Sequence, residues 1–155
     1  MTDTEITLEF ELRSLADTEA LGQRIAALLA AGDAVALEGD LGAGKTTLAR
    51  AVLRALGTGE TVPSPTFTLV QRYDLPRFPV SHFDLYRIER EAELEELGLD
   101  DALADGAALI EWPERAGSRL PADALHVHFS IVEETIRRAV LMGPARWARL
   151  AGEFP

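Results

Sequence analysis

Residues 37–50, LEGDLGAGKTTLAR, have the residue types and the spacing that bind the phosphates of a nucleotide. The pattern G-x-x-x-x-G-K-[ST] is met by four residues: Gly39, Gly44, Lys45 and Thr46. In such a loop, backbone N–H groups and a helix N-terminus surround phosphate, the lysine reaches the outer phosphates and the hydroxyl ligates magnesium. The predicted nucleotide contacts are therefore the loop and the start of its helix: Asp40, Leu41, Gly42, Ala43, Gly44, Lys45, Thr46 and Thr47.

Lys45 is the only lysine of the chain, and the other 14 of its 15 basic residues are arginine. An ammonium group is a compact charge on a thin stem, whereas a guanidinium group is a broad fork. A tight loop wrapped around phosphates can therefore accept lysine and exclude arginine. We interpret the exception at Lys45 as a steric demand of the loop.

A phosphate-binding loop also needs an acidic side chain for magnesium or for water, at the end of a neighbouring buried strand. Glu111 follows the apolar sequence AALI and fits this position best, so we predict it as a metal contact together with Thr46. Asp84 in SHFDLYR is the second candidate. Its strand alternates between apolar and polar residues, which favours a half-exposed position, and a surface aspartate stays the alternative.

Three further features of the sequence are weaker evidence for functional residues than the glycine loop. Thr66, in the sequence SPT, lies where nucleotide switches place a hydroxyl near the γ-phosphate, although SPT alone is more often a turn. His126 and His128 share a strand face as two metal ligands do, but no third ligand with suitable spacing is evident. Trp112 follows Glu111 directly and lies either at the rim of the site or in the core.

The hydrophobic pattern predicts the elements that position these residues. AVALEG, residues 34–39, indicates a strand buried on both faces, and the periodic segment Thr46–Leu56 indicates a helix that Gly57 ends. The glycine loop lies between them, as a phosphate site requires. The other predicted elements are a strand over Ile6–Leu12, a helix capped by Ser14 or Asp17, a hairpin in residues 64–88, a short helix in residues 89–98, the AALIEW strand, a hairpin in residues 124–143 and a helical end.

These elements amount to about seven strands with helices on both sides, which predicts an α/β fold: a P-loop NTPase domain with a mixed, mostly parallel central sheet. A chain of 155 residues is long enough for one core, so we expect one domain over residues 1–155. The longest apolar run, IAALLAA, is far below the ~20 residues of a membrane span, and the N-terminus is acidic. We expect a cytoplasmic protein with no membrane partner.

The charge of the chain bears on its partners. The formal net charge is −11, the wrong sign for a chain that grips a nucleic-acid backbone by itself. Any role with nucleic acid is therefore expected to be indirect. The chain has no cysteine, so disulfides, thiolate nucleophiles and zinc–cysteine sites are excluded.

Four motifs, GDLGAGKTT, SPTFTLV, HFDLYRI and IEWPER, occur in this order and spacing. They resemble the bacterial TsaE family, the small ATPases of tRNA threonylcarbamoyladenosine biosynthesis, over nearly the whole chain. The resemblance implies an ATPase that uses ATP and Mg²⁺ and acts with the TsaB–TsaD pair. The implied role of this ATPase is to support repeated threonylcarbamoyl transfer to adenosine 37 of tRNAs reading ANN codons. The resemblance also implies that the ATPase meets tRNA only through its partners.

The resemblance also implies roles for matching residues. Lys45 and Thr46 correspond to the phosphate and magnesium contacts, and Glu111 to a second contact with magnesium or water. Asp84 and Thr66 correspond to residues needed for turnover. Trp112 corresponds to a neighbour of the nucleotide.

Two other functions stay open at the level of sequence. A small-molecule kinase uses the same loop, but it needs an acceptor pocket and usually a lid bearing arginines. Arg77 and Arg87 are present, yet no arginine-rich lid follows a helix pair late in the chain. An ATP-gated binding switch with slow hydrolysis is the other alternative, in which occupancy rather than hydrolysis changes partner affinity.

Overall fold

The computed structural model describes residues 5–40, 42–58 and 69–151. Their strands form one seven-stranded sheet: β1 (Glu5–Leu12), β2 (Ala34–Glu38), β3 (Val70–Asp74), β4 (Pro79–Asp84), β5 (Ala107–Glu111), β6 (Leu125–Ile131) and β7 (Arg137–Pro144). The order across the sheet is β1-β7-β6-β2-β5-β4-β3. Neighbours among β6, β2, β5 and β4 are parallel, and the three outer pairings are antiparallel. The predicted mixed sheet is confirmed, with its parallel pairings confined to the four central strands.

The parallel centre follows from the apolar runs of the sequence. All of β5 is buried, as are the first four residues of β2, because other layers of the molecule cover both faces of these strands. The strand β1 at one edge instead alternates between exposed and covered residues over most of its length. The central strands therefore position the loop that follows β2, and the outer strands complete the sheet.

The described residues include four α-helices: α1 (Leu15–Leu28), α2 (Lys45–Leu56), α3 (Glu93–Leu97) and α4 (Leu99–Asp105). The Ser14 hydroxyl caps α1 by accepting a hydrogen bond from the backbone N–H of Asp17 at 3.3 Å, as predicted. Gly57 ends α2 in the left-handed conformation, also as predicted. No helix in the described ranges is both long and apolar enough to cross a membrane.

The helices cover opposite faces of the sheet. Val35 and Leu37 of β2 belong to the core cluster that contains α1 and α2. Ala34, and Ile110 of β5, belong to the second cluster, with α3 and α4. Because successive strand residues point to opposite faces, these memberships place one helix pair on each side.

The structure differs from the sequence-based expectations at five places. The half-exposed position expected for Asp84 is wrong: the strand β4 is buried from Val80 onward because β3 and β5 flank it and helices cover it. The helix α4 and a 3₁₀ segment at Pro113–Arg119 were not predicted. The end of α1 lies at Leu28 instead of Gly32, and the last helical segment, Ala145–Leu150, is 3₁₀.

Candidate functional site

Three parallel strands end at one edge of the sheet and bring acidic residues there. Asp84 ends β4 and lies opposite Glu111, which ends β5. Glu111 in turn lies level with Leu37 of β2, and the glycine loop begins two residues later. The carboxyl ends of parallel strands are where α/β sheets bind ligands. The topology therefore places both predicted carboxylates beside the predicted phosphate loop.

The loop after β2 has a backbone path that glycine makes possible. Gly39 has φ = 141°, and a Cβ there would lie 2.9 Å from the carbonyl oxygen of Phe129. Gly44 has φ = 121° and precedes α2. Side chains are disfavoured at both positions, the first by contact and both by conformation. Between them, the N–H of Ala43 donates to the carbonyl of Asp40 at 3.1 Å, which turns the loop back toward α2.

The N-terminus of α2 faces out of this loop without a side-chain cap. Gly44 occupies the capping position, and no side chain accepts from the first turn. Free N–H groups and the positive end of the helix dipole make such a terminus attractive to an anion. The N-terminus of α2 therefore favours an anion locally, although the chain as a whole carries a net charge of −11.

Lys45, the first residue of α2, is buried against the loop. Its ammonium group donates to the carbonyl oxygen of Gly39 and lies 3.5 Å from that of Asp40. The same group lies 3.5 Å from the centre of the Trp112 ring, a cation–π contact. Burial lowers the pKa of Lys45 below the ordinary lysine value, and nearby carboxylates, with Glu111 the strongest, partly offset this effect.

Glu111 is held by both of its carboxylate oxygens. The Thr46 hydroxyl donates to Oε1 at 2.7 Å, and Nε2 of His82 lies 2.7 Å from Oε2. Glu111 and His82 are both buried. Asp84, also buried, accepts a hydrogen bond from the backbone N–H of Tyr86 at 3.1 Å. The carboxylates of this edge are thus fixed in place by named donors.

Trp112 leaves the strand in an unusual conformation. Its backbone is left-handed, with φ = 59° and ψ = 52°, which costs a non-glycine residue on the order of 1–3 kcal/mol. The ring lies over Lys45 and packs beside Tyr86, with 4.9 Å between ring centres. Of the two alternatives left open by the sequence, the structure supports the rim of the site.

The two strand histidines lie around a different carboxylate. Nδ1 of His126 is 2.7 Å from one oxygen of Glu38, and Nδ1 of His128 is 3.7 Å from the other. All three side chains are partly exposed. In the part of the chain that the structure describes, no group of three or more His, Cys, Asp or Glu residues is arranged to hold a metal ion.

The structure brings five of the predicted functional residues to one edge of the sheet: Lys45, Thr46, Asp84, Glu111 and Trp112. Asp40, Gly42, Ala43 and Gly44 form the adjoining loop, and Thr47 lies in the first turn of α2. Leu41 and Thr66 lie outside the described residues. The roles of all these residues as ligand contacts stay predictions.

Sequence reasoning missed His82. The available signal was its position as the first residue of the motif HFDLYRI, two residues before Asp84. The alternating pattern of SHFDLYR suggested that its polar residues face solvent, whereas His82 is fully buried against Glu111. The register of β4 on β5 was the missing information.

The donor set of the edge suits magnesium. Thr46 and Glu111 offer a hydroxyl and a carboxylate oxygen 2.7 Å apart, both hard oxygen donors. Magnesium is usually bound by one or two protein oxygens, with phosphates and waters completing its shell. The residues present therefore fit a magnesium ion that arrives with a nucleotide.

Comparisons with known proteins identify the family of this chain. A family model described as "Threonylcarbamoyl adenosine biosynthesis protein TsaE" matches residues 12–140. A tRNA threonylcarbamoyladenosine biosynthesis protein TsaE from Rickettsia bellii is 37% identical over 127 residues, which are 81% of this chain and 88% of that protein. The protein of the same name from Streptomyces coelicolor is 40% identical over 138 residues, covering 83% of this chain and 92% of its own.

A solved structure has the same fold. The crystal structure of YdiB from Bacillus subtilis matches with a TM-score of 0.80 at 28% sequence identity. The match covers 96% of this chain and 94% of that one. The sheet, its helices and the edge that carries the loop therefore belong to a fold already seen in a crystal.

Proposed function

This chain belongs to the TsaE family of threonylcarbamoyl adenosine biosynthesis proteins, and we propose that it serves this biosynthesis as a magnesium-dependent ATPase. Its place in the formation of threonylcarbamoyladenosine in tRNA follows from the family. The nucleotide chemistry and the partners are our inference from the site.

One observation carries the ATPase proposal: the Thr46 hydroxyl lies 2.7 Å from Oε1 of Glu111, directly at the uncapped N-terminus of α2. The helix end and the glycine loop are suited to phosphate, and the oxygen pair is suited to the magnesium that accompanies it. An ordinary glycine turn before a helix has no need for a buried carboxylate at this point. The combination supports ATP and Mg²⁺ as the ligands.

Each residue of the site has a separate proposed role. Lys45 exchanges its contacts with the Gly39 and Asp40 carbonyls for the outer phosphates of ATP, where its charge stabilises the charge that develops during transfer. Thr46 and Glu111 would hold the magnesium ion, which would neutralise phosphate charge when bound. Asp84, anchored by the Tyr86 N–H beside Glu111, is the other buried carboxylate of the described residues and would orient water.

The proposed partners are a TsaB–TsaD-like pair, with tRNA met only through them. The net charge of −11 supports this division, because a chain that neutralises few phosphates gains little from counterion release. We therefore expect negligible binding of purified tRNA by this chain at physiological salt in a gel-shift assay. Tight binding by the isolated chain would contradict the indirect role.

An ATP-gated switch with slow hydrolysis is favoured by a specific contact. Trp112 touches both Lys45 and Tyr86, and Tyr86 is 45% exposed. If phosphates displace Lys45, the change in its contact with Trp112 can therefore move Tyr86, which lies at the surface. A kinase has less support, because Arg77, one of the two candidate lid arginines, donates to the carbonyls at the end of α1, those of Ala26 and Leu29.

A reconstituted modification assay tests the proposal. Purified TsaB–TsaD-like partners, threonylcarbamoyl donor and tRNA are run over many turnovers with ATP, with a non-hydrolysable analogue, or without this chain. We expect sustained modification only with the chain and ATP. Full activity with the analogue would identify the switch instead, and unchanged modification on omission of the chain would contradict the proposed function.

A further inference from the structure

We propose that His82 is a positioning residue that fixes the carboxylate of Glu111 for magnesium. Its imidazole holds Oε2, so that Oε1 faces the Thr46 hydroxyl. The proposal rests on the proposed function, because it concerns the same magnesium and nucleotide site. His82 is the first residue of the motif HFDLYRI, and the sequence analysis gave it no role.

The geometry is a continuous chain of two hydrogen bonds. Thr46 Oγ1 donates to Oε1 of Glu111 at 2.7 Å, and His82 Nε2 lies 2.7 Å from Oε2. The exposed fractions of the His82 and Glu111 side chains are 0% and 4%. Solvent therefore cannot take the place of the imidazole, and the orientation of the carboxylate depends on protein donors.

The direction of the His82 hydrogen bond follows from its partner. A carboxylate only accepts, so Nε2 carries the proton and donates. Nδ1 of the ring is buried and has no hydrogen-bond partner among the described residues. A buried polar atom without a partner costs stability. An apolar side chain would avoid that cost, so packing alone does not account for histidine here.

The strand register shows why His82 reaches this oxygen. His82 pairs with Leu109 on β5, two residues before Glu111, and its side chain extends along the sheet toward the strand end. Asp84 lies opposite Glu111 itself but carries no donor in its ionised form. Removal of the imidazole would leave Oε2 buried and free to turn away, which would also loosen Oε1 from Thr46.

Residues that orient metal ligands usually change metal affinity by roughly 10–100-fold when they are replaced. We therefore expect His82 to act on the magnesium-dependent part of nucleotide binding. The part that depends on the loop and the start of α2 should not change. The ratio of ADP affinities with and without magnesium separates these two parts.

The experiment uses calorimetric titration of the full chain with ADP, in magnesium and in excess chelator. His82→Gln keeps a donor near the position of Nε2, His82→Asn places it too far away, and His82→Met keeps size without a donor. His126→Met, in the exposed pair with Glu38, is the matched control. Thermal unfolding followed by circular dichroism establishes that each variant is folded.

We expect His82→Met and His82→Asn to reduce the gain in ADP affinity from magnesium by about 10-fold or more, at unchanged affinity in chelator. His82→Gln should restore most of the gain, and His126→Met should match the wild type. If His82→Met does not fold, the difference between His82→Gln and His82→Asn in the gain from magnesium tests the proposal. A wild-type gain in folded His82→Asn, or equal loss in Gln and Asn, would overturn the role of His82. A wild-type chain that binds no ADP would instead overturn the proposed function.

Discussion

The molecule contains two carboxylate–imidazole pairs with the same contact distance and opposite surroundings. Glu111 and His82 are 2.7 Å apart, with side chains 4% and 0% exposed. Glu38 and His126 are also 2.7 Å apart, with side chains 32% and 35% exposed. The two glutamates end neighbouring strands, β5 and β2, and each follows an apolar run, AALI or AVAL.

Burial, and not contact distance, separates Glu111, which we propose as a magnesium contact, from Glu38. An exposed ion pair competes with water and is screened, so it contributes about 0–1 kcal/mol. A buried pair that loses one partner leaves a charge that no water reaches. Glu111 is the carboxylate that also meets Thr46 at the start of α2, whereas Glu38 meets a second exposed histidine, His128.

The largest expected effect is on ATP turnover and concerns Lys45, the cation near the buried pair of Glu111 and His82. We predict that Lys45→Ala lowers ATP turnover on the order of 100-fold or more, because a preorganised donor to the developing charge is lost. Lys45→Arg should also fail, since the ammonium group is enclosed by the Gly39 carbonyl and the Trp112 ring. Steady-state phosphate release measures both, with His126→Ala as a control that keeps wild-type turnover.

The arginine variant is the sharper half of that test. If Lys45→Arg retains near-normal turnover, charge alone suffices at this position. The steric interpretation of the single lysine would then be wrong, although the phosphate-binding role of the loop would stand.

The second expected effect is on stability and compares the pairs directly. We predict that His82→Ala lowers the free energy of unfolding by roughly 3–5 kcal/mol, because Glu111 is left buried without its partner. His126→Ala should cost about 0–1 kcal/mol, because water replaces the imidazole beside Glu38. Urea unfolding of the two variants and the wild type gives both values. Equal losses would remove the contrast on which the comparison depends.

The smallest expected effect is a change in tryptophan fluorescence. It tests whether the site around Lys45 and Glu111 responds to ligand. Trp112 touches the Lys45 ammonium, whereas Trp147, the other tryptophan, is buried in the core cluster with α1 and α2. We predict that ADP with magnesium changes the tryptophan emission by drawing Lys45 off the ring. The change should persist in Trp147→Phe and disappear in Trp112→Phe. A change that follows Trp147 would place the response outside the site.

Much of the fold could be predicted from sequence, because local signals are strong where they depend on few residues. The glycine pattern, the apolar run before it and the cap at Ser14 each act within one turn or strand. A local run, AALI, also favours Glu111 over Asp84 as the magnesium neighbour. Its contact with Thr46 agrees with that choice.

What could not be predicted depends on strand register and on backbone conformation. The burial of Asp84 and His82 requires β4 to be covered by β3 and β5, which no local pattern of SHFDLYR specifies. The left-handed turn at Trp112, a non-glycine residue, is set by its surroundings and so carries no signal in its own sequence. Glu38 and Glu111 both follow an apolar run, and of these two it is Glu111 that accepts a hydrogen bond from Thr46.

The most direct test of the proposed site compares Glu111→Gln with Glu38→Gln in magnesium-dependent ATP hydrolysis by the purified chain. Both changes remove one charge from the end of an apolar central strand and keep the shape of the side chain. We predict a loss on the order of 100-fold for Glu111→Gln, because it removes the buried charge that we propose to hold the metal. We predict turnover within about 2-fold of the wild type for Glu38→Gln, because that charge is screened by solvent. Wild-type turnover in folded Glu111→Gln, or an equal loss in both variants, would contradict the proposed role of Glu111.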